Sequence, residues 1–355
     1  MMVLYTQMPT AHAVGTSASS AILMEAESGR ILYEQNCDES RLIASITKLM
    51  TALVALESGH DLREVVTVPK AAVGAEGSSL YLREGEEVTL EALLYGMLLH
   101  SGNDAALAVA LHCGGNIEAF VADMNQKAEE LGMTHSHFEN PNGLNGPEHY
   151  SSAYDMALLA RACLAHDELA AILATKTITI GGRTLTNHNK LLWRYEGCIG
   201  LKTGYTEKAG RTLVSAAQRD GMTLIAVTLN DPNDWADHTT LLDWGFEQYT
   251  RIEIAQEGAS FGRLPVNGAL CPFVSAAAGG SFAYPVCRKD RMSLSVEWMT
   301  DQLYAPVKNG DTLGYLNVFC ADQQVAAVPL VAAYTVPSVL APKQGILERI
   351  GSLIS

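Results

Sequence analysis

The stretch Ser45-Ile46-Thr47-Lys48-Leu49-Met50-Thr51-Ala52-Leu53-Val54-Ala55-Leu56-Glu57 carries two messages at once. Its apolar positions, Ile46, Leu49, Met50, Leu53, Val54 and Leu56, recur at helical spacing, and Gly59 follows as a stop. Ser45 and Lys48 fall at i and i+3 on the first turn, so the two side chains share a face and can meet. A serine hydroxyl is a poor nucleophile until a base takes its proton. Lysine serves as that base only if burial or a neighbouring cation lowers its pKa from about 10.4. A helix start also offers unpaired backbone N–H groups, and one such donor to a developing oxyanion is worth about 3–4 kcal/mol. A lone serine and lysine at this spacing is usually an ordinary helix surface, although S-x-x-K occurs nowhere else in the chain.

Working outward, two further stretches weigh on the first. Ser101-Gly102-Asn103 lies between two helical patterns, Leu90 to His100 and Ala105 to His112. A second serine there can relay a proton, and the Asn103 amide both donates and accepts. Gly200-Leu201-Lys202-Thr203-Gly204-Tyr205 precedes a strand-turn-strand signal, 212–217 and 223–229 around Asp220-Gly221. Lys202 beside the Thr203 hydroxyl makes a carboxylate receptor, and Gly204 leaves room for a substrate backbone along the strand. The N–H of Tyr205 supplies a second oxyanion donor. Each piece alone reads as a turn or a solvated strand. Together, S-x-x-K, S-x-N and K-T-G stand in one order, 56 and 101 residues apart, each on the expected kind of element. That set, with S-D-N as its middle motif, is the one used by penicillin-binding proteins and class A β-lactamases.

The chain resembles the low-molecular-mass penicillin-binding proteins, serine-type D-alanyl-D-alanine carboxypeptidases. The resemblance rests on Ala44-Ser-Ile-Thr-Lys-Leu-Met-Thr51, Leu98-Leu-His-Ser-Gly-Asn-Asp-Ala105, Asn140-Pro-Asn-Gly-Leu144 with His149-Tyr-Ser151, Gly200-Leu-Lys-Thr-Gly-Tyr-Thr-Glu-Lys-Ala-Gly210 and Asp243-Trp-Gly-Phe246, and spans about residues 18–334. It implies a mixed α/β fold: a β-lactamase/transpeptidase-like catalytic domain, an antiparallel sheet packed with helices and a helical subdomain, then a small all-β domain. It further implies that Ser45 is acylated, Lys48 is its base, Ser101 relays the proton and Asn103 orients the substrate amide. Lys202 and Thr203 would bind the terminal D-Ala carboxylate beside Gly204, with the N–H groups of Ser45 and Tyr205 as the oxyanion hole. No metal or cofactor is implied. The expected partners are peptidoglycan stem peptides and β-lactam inhibitors, met outside the cytoplasm, often with a C-terminal amphipathic helix as membrane anchor.

The remaining sequence fits that frame. In 355 residues, 24 Lys+Arg face 39 Asp+Glu, a formal charge of −15 that argues against a nucleic-acid partner. Residues 1–17 form a tail in which Ala11-His12-Ala13 has the form of a signal-peptidase site without a basic start. Residues 18–255 make the catalytic domain, opened by a hairpin around Ser28-Gly29. Residues 256–334 make a β-rich module of short apolar runs broken by Gly and Pro, and residues 335–355 a linker and amphipathic helix. In the last segment Ile346, Leu347, Ile350, Leu353 and Ile354 form a helical apolar stripe, which either docks on the protein or lies in a membrane interface. Taken with the resemblance it is read as an anchor. Seven cysteines show no C-x-x-C or Cys/His ligand spacing, so no zinc site is expected, and pairing of Cys271 with Cys287 is left open. Arg211 is either a carboxylate ligand or a strand-surface charge.

Two rival functions are set against this one. A β-lactamase on the same fold needs an extra carboxylate over the acyl ester, for which Glu139 is the candidate. A non-catalytic sensor of β-lactam or cell-wall peptide needs no Lys48.

Overall fold

The computed structural model describes residues 14–339. Of the tail at 1–17 only residues 14–17 are described, and the apolar stripe of 346–354 singled out above lies outside the described residues. Two compact units divide at Gln248/Tyr249.

The first unit contains β1 (Ser20–Glu25), β2 (Ile31–Gln35), α1 (Lys48–Glu57), β3 (Val65–Thr67), β4 (Glu87–Thr89), α2 (Leu90–Leu99), α3 (Asn103–Gly114), α4 (Ile117–Glu130), α5 (Ala153–Leu164), α6 (Asp167–Ala174), β5 (Thr177–Ile180), β6 (Arg183–Thr186), α7 (Leu191–Arg194), β7 (Cys198–Thr206), β8 (Gly210–Arg219), β9 (Met222–Leu229) and α8 (Asp234–Gln248). Five strands form one antiparallel sheet in the order β2-β1-β9-β8-β7. The expected hairpin around Asp220-Gly221 is a two-residue turn with positive φ at both positions, 48° and 76°, joining Arg219 to Met222. That geometry matches the natural twist of the strands it links, which is why Asp-Gly occurs there.

The middle strands are buried on both faces. Side chains alternate along a strand, so Ile22 and Met24 of β1 and Ile225 and Val227 of β9 point one way, into a core shared with α1, α2, α3 and α5. Leu23 and Leu224 point the other way, against α8. A Cβ on Gly245 would stand 2.6 Å from Leu224 and 2.7 Å from Leu23, so the glycine lets α8 lie close to the sheet. α1 is enclosed by its neighbours, and every residue from Lys48 to Ala55 is buried.

One local expectation changes. Ser45 lies not in the first α turn but in a 3-10 turn, Ala44–Thr47, that feeds α1. Ala44 just before it sits at φ +50°, a left-handed conformation rare for a residue with a side chain and held only where surrounding contacts fix it. α3 also starts earlier than its apolar pattern, at Asn103.

Among the described residues the second unit is all β: β10 (Thr250–Ala255), β11 (Ser260–Asn267), β12 (Phe273–Ala278), β13 (Phe282–Val286), β14 (Met292–Trp298), β15 (Leu303–Tyr304), β16 (Thr312–Cys320) and β17 (Gln323–Ala332). β10 pairs with β13, and the other six form a sheet in the order β14-β16-β17-β12-β11-β15. Val274, Leu316, Val318 and Leu330 are at the centre of its core. Cys271 and Cys287, whose pairing is left open above, are not bonded to each other.

Candidate active site

Lys48 is the first residue of α1 and is fully buried. Its Nζ lies 3.0 Å from Ser45 Oγ, donates to Asn103 Oδ1 at 2.7 Å and to the Asn142 carbonyl at 2.5 Å. Burial, and then the positive charge of Lys202, drive its pKa well below the usual lysine value. A neutral amine has two N–H donors and one lone pair. In the neutral form the two carbonyl acceptors take the donors and the lone pair faces the Ser45 hydroxyl, whereas the charged form donates to Ser45 Oγ.

The carbonyl of Asn142 comes from the loop Asn140–Leu144, which is held against the nucleophile's turn. A Cβ on Gly143, at φ +86°, would stand 2.1 Å from the Ala44 carbonyl oxygen, so only glycine fits there. His149 fixes the same turn from behind. Its Nδ1 accepts from the Glu139 N–H at 3.1 Å, which leaves the proton on Nε2 to be donated to Thr47 Oγ1 at 2.8 Å. Thr47 in turn donates to the Ala44 carbonyl at 2.8 Å. Burial holds the His149 imidazole neutral, with its pKa lowered to about 4.

Neutral buried imidazoles make the protein acid-sensitive. His238, enclosed between Ser215 and Thr228, is likewise lowered by burial, to about 3. Between these values and the ordinary imidazole value of 6.5, the unfolded chain binds protons that the folded one refuses, so stability falls as pH drops through that window. At pH 5 each imidazole costs about 2 kcal/mol. Asp231, raised by burial to about 6, acts in the opposite direction and offsets part of this. We expect a net loss of a few kcal/mol from pH 7 to pH 5 and a melting temperature lower by roughly 5–10 °C, read by calorimetry at the two pH values. An unchanged melting temperature would mean that one or both imidazoles are charged in the folded protein.

β7 is the edge strand facing the 3-10 turn. Lys202 is buried to 1% exposure, with Nζ donating to the Thr203 carbonyl at 2.9 Å, and burial lowers its pKa to about 7. Gly204 has a reason other than room for substrate. A Cβ there would stand 2.4 Å from Thr212 Oγ1, 3.0 Å from Ser45 N and 3.1 Å from the Ile43 carbonyl oxygen. The glycine is what lets the turn carrying Ser45 close onto β7. Gly204→Ala is therefore expected to push Thr212 off its 2.9 Å bond to the Ile43 carbonyl, shift Ser45 and slow acylation about 100-fold, measured with a fluorescent penicillin.

Ser45, Ser101, Thr203, Gly204 and Tyr205 line one cleft of about 330 Å³, together with Arg211 and Trp235. Ser101 has a positive φ of 64° and is nearly buried, while Tyr205 is exposed. Lys48, Asn103 and Lys202 stand behind the cleft wall rather than on it. Asn103 is bonded at both ends of its amide, since Nδ2 donates to the Glu76 carbonyl at 2.5 Å. Two contributors carried no signal in side-chain chemistry or spacing. The Asn142 carbonyl is main chain. Asp104, buried, accepts from the N–H groups of Leu80 and Leu82 and from Ser79 Oγ, tying that loop to the start of α3. Arg211, left open above, lines the cleft with its guanidinium 2.9 Å from Asp234 and over the Trp235 ring. Cys198 donates to the Gly200 carbonyl, and burial raises its pKa, so it is a thiol and not a reactive thiolate. Glu139 is absent from the cleft lining, and its carboxylate accepts from the Glu148 N–H.

A serine hydroxyl 3.0 Å from a buried amine whose pKa is lowered, at the edge strand of an antiparallel sheet backed by helices, is the arrangement of an activated serine nucleophile and fits the S-x-x-K and K-T-G class of penicillin-recognising serine hydrolases. Residues 7–233 match the family D-alanyl-D-alanine carboxypeptidase, and residues 249–338 match the penicillin-binding protein 5 C-terminal domain. The chain belongs to that carboxypeptidase family and is a serine D-Ala-D-Ala carboxypeptidase of the penicillin-binding protein class. It is 34% identical to D-alanyl-D-alanine carboxypeptidase DacF of Bacillus subtilis over 89% of this chain and 85% of that one. With DacC of Escherichia coli it shares 34% identity over 91% of this chain and 85% of the other. Among solved structures, penicillin binding protein 5 from Haemophilus influenzae superposes with a TM-score of 0.79 at 29% identity, covering 93% of this chain and all of that one. PBP3 of Streptococcus pneumoniae, described as a peptidoglycan synthesis regulatory factor, gives 0.80 at 27% identity, with 91% and 100% covered.

Proposed function

We propose that Ser45 Oγ attacks the carbonyl carbon of the penultimate D-Ala of a peptidoglycan stem peptide while its proton passes to Lys48 Nζ. The N–H groups of Ser45 and Tyr205 receive the oxyanion. Collapse breaks the peptide bond, the leaving D-Ala amine takes the proton by way of Ser101, and water then hydrolyses the acyl-serine. Asn103 acts chiefly on Lys48, holding the amine with its lone pair toward the hydroxyl. Thr203 and Arg211 meet the terminal carboxylate from the cleft wall, with the Lys202 charge behind them. The observation that carries this reading is the set of three bonds at Lys48 Nζ, two of which are to carbonyls.

A β-lactam would be attacked in the same way and leave a slowly hydrolysed acyl-enzyme. The β-lactamase alternative is disfavoured because Glu139 faces Glu148 instead of the cleft. Mass spectrometry after mixing with penicillin, and separately with a peptide ending in D-Ala-D-Ala, tests the proposal. A long-lived adduct on Ser45 and release of one D-Ala are expected, whereas rapid penicillin turnover without an adduct would overturn it.

The same chemistry places the enzyme outside the cytoplasm, where stem peptides are exposed. Among the described residues no single helix is long and apolar enough to cross a membrane. The apolar stripe at 346–354 supports peripheral anchoring by its spacing. Removing residues 338–355 is expected to abolish co-sedimentation with anionic vesicles and leave turnover of a soluble peptide intact. Loss of turnover would instead favour a helix docked on the protein.

A further inference from the structure

We propose that His60, Glu64 and His112 form a binding site for one divalent transition-metal cation, with Zn²⁺ the best fit. The three side chains come from two elements. His60 and Glu64 lie in the turn that follows α1, and His112 lies in the last turn of α3. Glu64 Oε2 is 2.8 Å from His60 Nδ1 and 3.2 Å from His112 Nε2, and all three potential ligand atoms lie within 4.8 Å of one another. Four-coordinate zinc with ligands at 2.0–2.1 Å separates neighbouring ligand atoms by about 3.3 Å, so the two measured pairs need shifts of only a few tenths of an ångström. Two imidazole nitrogens and one carboxylate oxygen suit zinc or its neighbours better than calcium or magnesium, which take oxygen ligands.

The surroundings fit a cation as well. The second oxygen of Glu64 is held by the Asp61 N–H at 3.1 Å, and the Asp61 carboxylate accepts from the Arg63 N–H at 2.9 Å, so the carboxylate has a fixed orientation within a fixed turn. α1 and α3 touch at their starts through Lys48 and Asn103 and at their ends through His60 and His112, so they run side by side in the same direction. Both helices therefore present the negative end of their dipole at this point, which favours a positive charge. The side chains are partly open, 32% exposed for His60, 41% for Glu64 and 23% for His112, so solvent can enter and complete the coordination. His60 also lines a separate hollow of about 980 Å³ with His166 and Asp167, giving a cation an approach path. The spacing rule for zinc looks for close ligand pairs in sequence, and 48 residues separate Glu64 from His112, so the rule passes over this set.

A cation there would clip the far ends of the two helices whose near ends carry Lys48 and Asn103. α1 is ten residues, about 15 Å long, so the clip stabilises the subdomain without touching the reacting atoms. The competing account is a hydrogen-bonded histidine–glutamate–histidine cluster with no affinity for metal. The test is a calorimetric titration of the full chain with Zn²⁺, run on the parent protein and on Glu64→Gln, His112→Ala and Cys113→Ser. Cys113 is the control, since its thiol bonds to Ser58. One equivalent bound with micromolar or tighter affinity is expected, together with a melting temperature raised by a few degrees. His112→Ala should lose both effects and Glu64→Gln should weaken binding by about tenfold or more, while Cys113→Ser keeps both. Penicillin acylation, unchanged in all three variants, reports that each is folded. No binding by the parent protein, equal binding by all variants, or a loss confined to Cys113→Ser would overturn the proposal.

Discussion

Ser45→Ala should lower acylation by penicillin and release of D-Ala by about six orders of magnitude, to the background of the assay. The expectation is large because the hydroxyl is the atom that becomes covalent, and no other group in the cleft replaces it. Ser101 lines the same cleft, but Lys48 Nζ bonds to Ser45 and not to Ser101. Folding should be spared. Ser45 is partly exposed, and the turn that carries it is held by Thr47, His149 and Gly143 through main-chain and neighbouring contacts. Intact-mass measurement after penicillin, with the melting temperature as a control, checks both halves. Adduct formation at the parental rate in a folded variant would assign the nucleophile elsewhere.

Lys48→Met should produce the second largest effect and, unlike the first, also cost stability. Methionine is close in length to lysine but cannot accept the serine proton, and loss of a general base typically slows the chemical step by about 10²–10⁴-fold. The same change leaves Asn103 Oδ1 and the Asn142 carbonyl buried without their donor, at about 1–3 kcal/mol each. Slow acylation with unchanged stability would mean that water replaces the amine. A companion variant separates charge from contact. Lys202 lowers the pKa of Lys48 through its positive charge, so Lys202→Met should let that pKa rise. The acid limb of the acylation profile then moves to higher pH, because Lys48 needs a higher pH to become neutral. In the parent protein Lys202, near 7, loses its own charge as pH rises, so affinity for a peptide carboxylate should fall above neutrality. An acid limb that stays in place in Lys202→Met would remove electrostatic coupling between the two lysines from the account.

Much of this molecule could be read along the chain because its determinants are local. Alternation and an Asp-Gly turn define the β8–β9 hairpin, helical spacing defines α1 and α2, and three short motifs in order name the chemistry. What sequence left undecided depends on residues far apart in the chain approaching within a few ångströms. Gly204 is a glycine because Ser45 and Ile43 pack against it, and the sequence offered only the more familiar reason of space for a substrate. The Asn142 carbonyl, present in every residue type, became part of the amine's environment only because the loop at 140–144 folds over the nucleophile's turn. Burial is likewise a property of the assembled core. Lys48 is an ordinary cation in an isolated helix and a base only when the fold removes it from water and sets another positive charge nearby.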